Sequence, residues 1–415
     1  MRDVNVCLIA PEFLPVWGGT GSYCIELAKN LAGEAKLHVA TIEREKNGKA
    51  MYSKTDMEDF FDGKVNVHVL GKCSIKDTFF YNAKMQLAVY RKMPQLVRKY
   101  HFDLLHSNFP AMADIMFKVF QKGSVPTVAT VHTCIEMHRE GTRKSRVKFQ
   151  EIENSEKLTL LLLPYLLLCE RLYLSKVKNL IFVSKYIKNL INFHYAAFIR
   201  NSRMRVINIG IDVNEFSPRR EREFDYFFPY LKNVGPILLF SGRLIALKGI
   251  SVLAKAMKEV VSRNKEVHFV FAGPGSKDLL MKNIQKNAIP SNRYSVLDQI
   301  DRSRIPSLYA KSKMLVLPSF IESFPLSILE AMSSESLVIA SNVGGVPEII
   351  NDGADGVLVG AGKADELAQK ILFFLENEEI RKKMGKNARK KVVEKFTSAK
   401  MARDTIDAYE KILNS

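Results

Sequence analysis

A chain of 415 residues, 47% of them apolar, is long enough for two domains with separate cores and too apolar to stay disordered. Its five cysteines are scattered, with no Cys-x-x-Cys pair and no histidine at zinc-ligand spacing, which argues against a structural metal and against a disulfide framework. The net charge of +18 asks for a polyanionic partner; with no RNP-like aromatic motif, zinc finger or helix-turn-helix pattern, nucleic acid is disfavoured, and an anionic membrane surface or a diphosphate-bearing substrate is left.

The chain enters a strand at residues 4–10, too short and too weakly flanked for a signal peptide, so a reducing cytoplasm is expected. Gly18-Gly19-Thr20-Gly21 follows and precedes a helix from about Ser22. It fails the dinucleotide fingerprint, because Cys24 stands in the third glycine's place, and it lacks the Lys-Ser/Thr of a P-loop. Two readings stay open: a loop touching a diphosphate or sugar, or a plain turn. Further β-branched apolar runs lie at 37–42, 65–70, 104–106, 127–132, 180–183 and 205–209, with helix-period segments such as 22–31 and 85–99 between them. Strands alternating with helices imply a parallel, doubly wound sheet. His132 closes one strand at its carboxyl end, where such sheets take ligands, or else it is a core-edge histidine.

Residues 158–169, LTLLLLPYLLLC, are interrupted by Pro164 and fall well short of the ~20 residues a spanning helix needs. Arg139, Arg143, Lys144, Arg146 and Lys148 lie just upstream. The segment therefore reads either as an interfacial element facing anionic headgroups or as a buried helix behind a basic loop. Residues 1–213 hold 31 basic against 20 acidic side chains, so the charge excess favours this half.

A polar, proline-marked stretch over 214–236 reads as a linker, and a second strand series follows at 237–240, 267–272, 294–297, 314–317, 338–340 and 356–359. Ser241-Gly242-Arg243 ends the first of these and Lys248-Gly249 opens the next helix. A guanidinium fork and an ammonium point charge together suit a diphosphate, although either alone is commonly solvated. The loop containing Gly273, and Gly344-Gly345-Val346-Pro347 further on, also end strands.

After the strand 314–317, Glu322 is placed outside a helix that Ser323 would cap, with Pro325 in its first turn. Its first N–H groups lack intrahelical acceptors and offer an anion seat. Glu330, about two turns in, is an acceptor-only carboxylate suited to a ribose diol. Two exposed acids flanking a helix start would look the same; what separates the readings is that every one of these signals falls at the carboxyl end of an expected strand.

Taken together, SGRLIALKG, FAGPG, LPSFIESFPLSILEAM and VIASNVGGVPEIINDGADGVLV in this order resemble the retaining glycosyltransferase family 4. The linker entry INIGIDVNEFSP resembles it as well, with Ile209 in place of the usual asparagine. The resemblance implies an α/β chain of GT-B fold, two Rossmann-like doubly wound parallel-sheet domains facing a central cleft. Residues 1–213 would form the acceptor-side domain and 237–394 the nucleotide-sugar domain, with a C-terminal helix at about 395–415 packing back on the first.

By the same resemblance Arg243 and Lys248 would stabilise the departing diphosphate, as in transfer from a UDP or GDP sugar. Glu330 would bind ribose and Glu322 would sit by the transferred sugar. The backbone around Phe324, Pro325 and Leu326 would hold the sugar and distal phosphate, Gly273 would line the donor, Gly18 and Gly19 would close over the diphosphate, and His132 would contact a sugar hydroxyl. Neither a metal nor a cofactor is expected. The partners would be a nucleoside-diphosphate sugar and a glycan or lipid-linked acceptor, with the chain cytoplasmic or peripheral on the inner membrane face. Departures are Glu335 and Leu337, where the family carries glycine and proline, and Pro325 where glycine is common. A sugar-nucleotide epimerase, a phosphorylase of the same fold and a non-catalytic binding subunit are the rival expectations.

Overall fold

The computed structural model describes residues 3–415 apart from 16–17, 76, 78–79, 121–124, 146–151, 153 and 298–299. Arg146 and Lys148 of the basic run lie outside the described residues. Two compact units divide the chain: Met1–Glu136, Leu158–Gly210 and Ser398–Ser415 form the first, and Met137–Lys157 with Ile211–Thr397 the second.

The first unit is built on β1 (Asn5–Ile9), β2 (Lys36–Lys46), β3 (Lys49–Ala50), β4 (Val65–Ser74), β5 (Leu104–Phe109), β6 (Thr127–Val131), β7 (Asn179–Phe182) and β8 (Arg203–Val206). The sheet runs β3-β2-β1-β5-β6-β7-β8, and β4 also pairs with β2. All pairings are parallel except the short β2–β3 hairpin. Such strands are covered on both faces, which is why β1 and β5 read as nearly unbroken buried runs. Strand order reverses between β1 and β5, and this switch point opens a crevice beyond their carboxyl ends. Helix Ser398–Leu413 belongs to this unit: it packs on helix Gly19–Leu31, and the buried hydroxyl of Tyr409 meets Nδ1 of His106 on β5 at 2.5 Å.

The second unit holds β9 (Ile237–Ser241), β10 (His268–Ala272), β11 (Tyr294–Leu297), β12 (Met314–Leu317), β13 (Leu337–Ser341) and β14 (Val357–Val359). The order is β11-β10-β9-β12-β13-β14, every pairing is parallel, and the switch falls between β9 and β12. That is the Rossmann order, and it places the loops after β9 and β12 side by side.

Two sequence expectations change. The upstream basic residues Arg139, Arg143 and Lys144 lie on a helix, Ile135–Ser145, rather than in a loop. The run 158–169 enters helices Asn154–Leu161 and Leu163–Lys176, and it is not core: Leu161, Tyr165 and Leu168 are exposed. The polar groups of the second helix account for this, because Glu170 and Tyr173 find their hydrogen-bond partners only on the protein side.

Candidate active site

In the second unit the loop after β9 carries Arg243, exposed, and leads through a short turn, Ala246–Lys248, into helix Ile250–Arg263. Lys248 turns toward the loop after β12, where its Nζ lies 2.6 Å from Oε1 of Glu322. Ser319 donates its hydroxyl to the same oxygen at 2.7 Å. Glu322 is buried, so this carboxylate depends on that cation and that hydroxyl for its solvation.

Two glycines allow the loops to meet. Gly249 has φ +75° and a Cβ there would lie 1.9 Å from the carbonyl oxygen of Pro318; Gly344 has φ +56° and a Cβ there would lie 1.8 Å from the carbonyl oxygen of Glu322. Only a residue without Cβ fits either place. Gly273, after β10, stacks its backbone on that of Gly242, tying the β10 loop to the β9 loop.

The helix after β12 starts later than the sequence suggests. It runs Leu326–Ser333, with Pro325 in extended conformation as its N-cap and no side-chain cap from Ser323. Two causes act together. The carbonyl of Glu322 accepts the N–H of Gly345 at 3.0 Å and so is not available to a helix, and Phe324 precedes proline, which disfavours helical backbone. Phe324 turns its ring into the core against Phe396, so only its backbone faces outward chemistry.

Glu330, about one turn into this helix, is buried but is not paired with Lys248. Its cation is Arg302, whose Nη1 donates at 2.8 Å; the same guanidinium lies 3.3 Å from Glu215 and 4.6 Å from the ring centre of Phe216. Tyr309 lies close by and donates its hydroxyl to Ser241 Oγ at 2.7 Å; burial, and then the neighbouring Glu330 carboxylate, raise its phenol well above the ordinary value, so it stays a donor. Arg302 and Tyr309 were not singled out in the sequence, where Arg302 looks like one charge in a solvated run. Only its three-dimensional neighbours distinguish it.

Gly18, Gly19 and His132 lie in the first unit, beyond the carboxyl ends of β1 and β6. Gly18 is the N-cap of helix Gly19–Leu31, and both glycines are exposed. His132 is buried, its ring edge-on to Tyr23 at 4.6 Å. Burial pushes its imidazole down to about 3, so the ring is neutral at physiological pH. The amide of Asn108 on β5 gives its Nδ2 to the carbonyl of Ile9 at 3.2 Å, which turns Oδ1 toward His132 Nε2 at 3.0 Å. Nε2 therefore carries the proton, and Nδ1 is the acceptor nitrogen.

Two Rossmann-like parallel-sheet units in one chain, the second with an Arg/Lys pair and two buried glutamates around its switch point, define a glycosyltransferase of the GT-B architecture. Residues 17–215 match the family model for Glycosyltransferase Family 4 and residues 222–391 that for Glycosyl transferases group 1, and the chain belongs to this glycosyltransferase family. Among its relatives is an uncharacterized glycosyltransferase of Methanocaldococcus jannaschii, 27% identical over 78% of this chain and 79% of the relative. Sucrose-phosphate synthase of Thermosynechococcus elongatus shares the fold with a TM-score of 0.77 at 20% identity over 99% of both chains. Anabaena HepE, solved with UDP and glucose, does so with a TM-score of 0.69 at 18% identity over 98% of this chain and 99% of that one.

Proposed function

We propose that this glycosyltransferase moves a sugar from a nucleoside-diphosphate sugar to a hydroxyl of a lipid-linked or cell-surface glycan precursor, with retention of configuration and without a metal ion. The observation that carries the reading is the Lys248–Glu322 pair at the β9/β12 switch point, with Arg243 on the same loop. Arg243 and Lys248 supply the positive charge that the leaving diphosphate needs, and the free N–H groups at the start of helix Leu326–Ser333 add to it. Glu330, held by Arg302, accepts the two ribose hydroxyls with its remaining lone pairs. Glu322 lies beside the transferred sugar. Gly273 lines the donor, and Gly18 and Gly19 close over the diphosphate. His132 Nδ1 accepts a hydrogen bond from a sugar hydroxyl.

A UDP sugar is the first donor to test, since HepE was solved with UDP and glucose. We assign the acceptor to the first unit, and that unit's basic charge and exposed apolar helix support a lipid-linked one. Reaction takes place in the cytoplasm at the inner face of the membrane. Purified protein incubated with UDP and GDP sugars, with lipid and glycan acceptors, is followed by mass spectrometry. Transfer with the anomeric configuration kept supports the reading, and neither transfer nor slow donor hydrolysis with any pair would overturn it.

A further inference from the structure

Helix Leu163–Lys176 is turned inside out in its chemistry. Its carboxylate Glu170 is fully buried and accepts the backbone N–H of Ile135 at 2.9 Å and the hydroxyl of Tyr195, while Tyr173 donates to Asp114 at 2.9 Å. These residues and Leu174 form the inward face. On the opposite side Tyr165, Leu168 and Leu172 fall within about 60° of one another at ~100° per residue, and they are 62%, 63% and 40% exposed. Leu161, on the preceding helix, is 76% exposed, and Phe193, on the neighbouring helix Lys185–Ile199, is 82% exposed. A helix that turns its polar groups inward and a contiguous apolar stripe outward needs an apolar partner on its outer face. No helix among the described residues is long and apolar enough to cross a membrane, so that partner is met from the side.

Charge says what the partner is. Residues 157–200 carry Lys157, Arg171, Lys176, Lys178, Lys185, Lys188 and Arg200 against the single acid Glu170, which is buried. Lys176 and Lys178 are exposed at the end of the stripe, and the guanidinium of Arg171 covers Phe198 at 5.9 Å. A twofold contact with a second copy would set these cations against themselves. We propose that the outward face of this helix, with Leu161 before it, is a docking surface for an anionic membrane, the helix lying in the plane of the interface with its leucines among the acyl chains and its lysines at the headgroups. The surface deepens the acceptor part of the reading above by fixing where a lipid-linked acceptor is met. It is tested without turnover, so its failure and the failure of the enzymatic reading are told apart.

The full chain is floated with vesicles of phosphatidylcholine alone and of phosphatidylcholine mixed equally with phosphatidylglycerol. The wild type binds the mixed vesicles and not the neutral ones. Tyr165→Ser/Leu168→Gln/Leu172→Gln, which changes exposed positions only, lowers the partition about a hundredfold, because three apolar side chains leave the interface. Lys176→Glu/Lys178→Glu lowers it about tenfold while keeping the stripe, and guards against misfolding of the first variant. Equal recovery of wild type and both variants on mixed vesicles overturns the proposal. So does a wild type that ignores both vesicles, or one whose stripe is consumed in a dimer that the triple variant dissolves.

Discussion

Lys248 and Glu322 are 74 residues apart in sequence and 2.6 Å apart in space, the ammonium against a buried carboxylate at the switch point of the second sheet. Removing one member strands the other. Lys248→Ala is expected to lower kcat/KM about 10²–10³-fold, the range for losing one preorganised charge at a developing anion, and also to lower Tm. Glu322→Gln keeps the shape and leaves as its unpaired charge the partly exposed Lys248 ammonium, so its Tm should fall less than that of Lys248→Ala while kcat falls. Nucleotide binding by calorimetry beside steady-state kinetics separates the two; equal loss of binding and turnover in Glu322→Gln would sink its place beside the sugar.

Arg302 orients Glu330, and the expected signature is ribose recognition. Wild type should prefer UDP over 2′-deoxy-UDP about tenfold or more, the cost of a buried acceptor left without its donor. Arg302→Met should erase most of that preference. Arg302→Lys should recover only part of it, since an ammonium cannot span Glu215 and Glu330 as a planar fork does. Competition binding with the two nucleotides measures the ratio directly.

His106 and His132 are both pushed down to about 3 by burial. An unfolded histidine near its ordinary pKa of 6.5 takes up a proton that the folded one refuses. The stability these rings contribute is therefore full above about 6.5 and is lost as pH falls toward 3, at up to ~1.4 kcal/mol per pH unit per ring. Urea unfolding at pH 7 and pH 5 should show the drop, and His132→Gln should make it shallower.

Gly249→Ala and Gly19→Ala make a matched pair. At Gly249 a Cβ would lie 1.9 Å from the carbonyl of Pro318 at a positive φ, whereas at Gly19 it meets nothing within 4 Å. The first should cost about 2 kcal/mol or more and abolish nucleotide binding. The second should leave Tm unchanged or slightly raised. If Gly19→Ala nonetheless slows turnover, the glycine is needed for approach to the ligand rather than for folding.

Much of this architecture is legible in the sequence, because parallel strands buried on both faces leave runs of β-branched residues and their loops leave glycines. Each strand from β4 to β14 overlaps an apolar run, and only the short β3 hairpin leaves no hydrophobic trace. The helix after β12 starts later than its local signals suggest, since Ser323 and Pro325 look like a local cap while the carbonyl of Glu322 is claimed by Gly345, a residue 23 positions away. The leucine run 158–169 is ambiguous in the sequence for a related reason: composition gives apolarity, but only the burial of Glu170 and Tyr173 decides which side faces out.

What the sequence alone determined was the alternation of strands and helices, the family resemblance and the residue types at the strand ends, because local periodicity and turn chemistry are carried by near neighbours. What only the tertiary structure decided was partnership: Lys248 with Glu322, Arg302 with Glu330, and Asn108 with His132. These pairs join residues 24 to 74 positions apart. Charge and hydrogen-bonding capacity are written in the chain, but the partner that satisfies them is chosen by strand order and by the close approach that glycine permits.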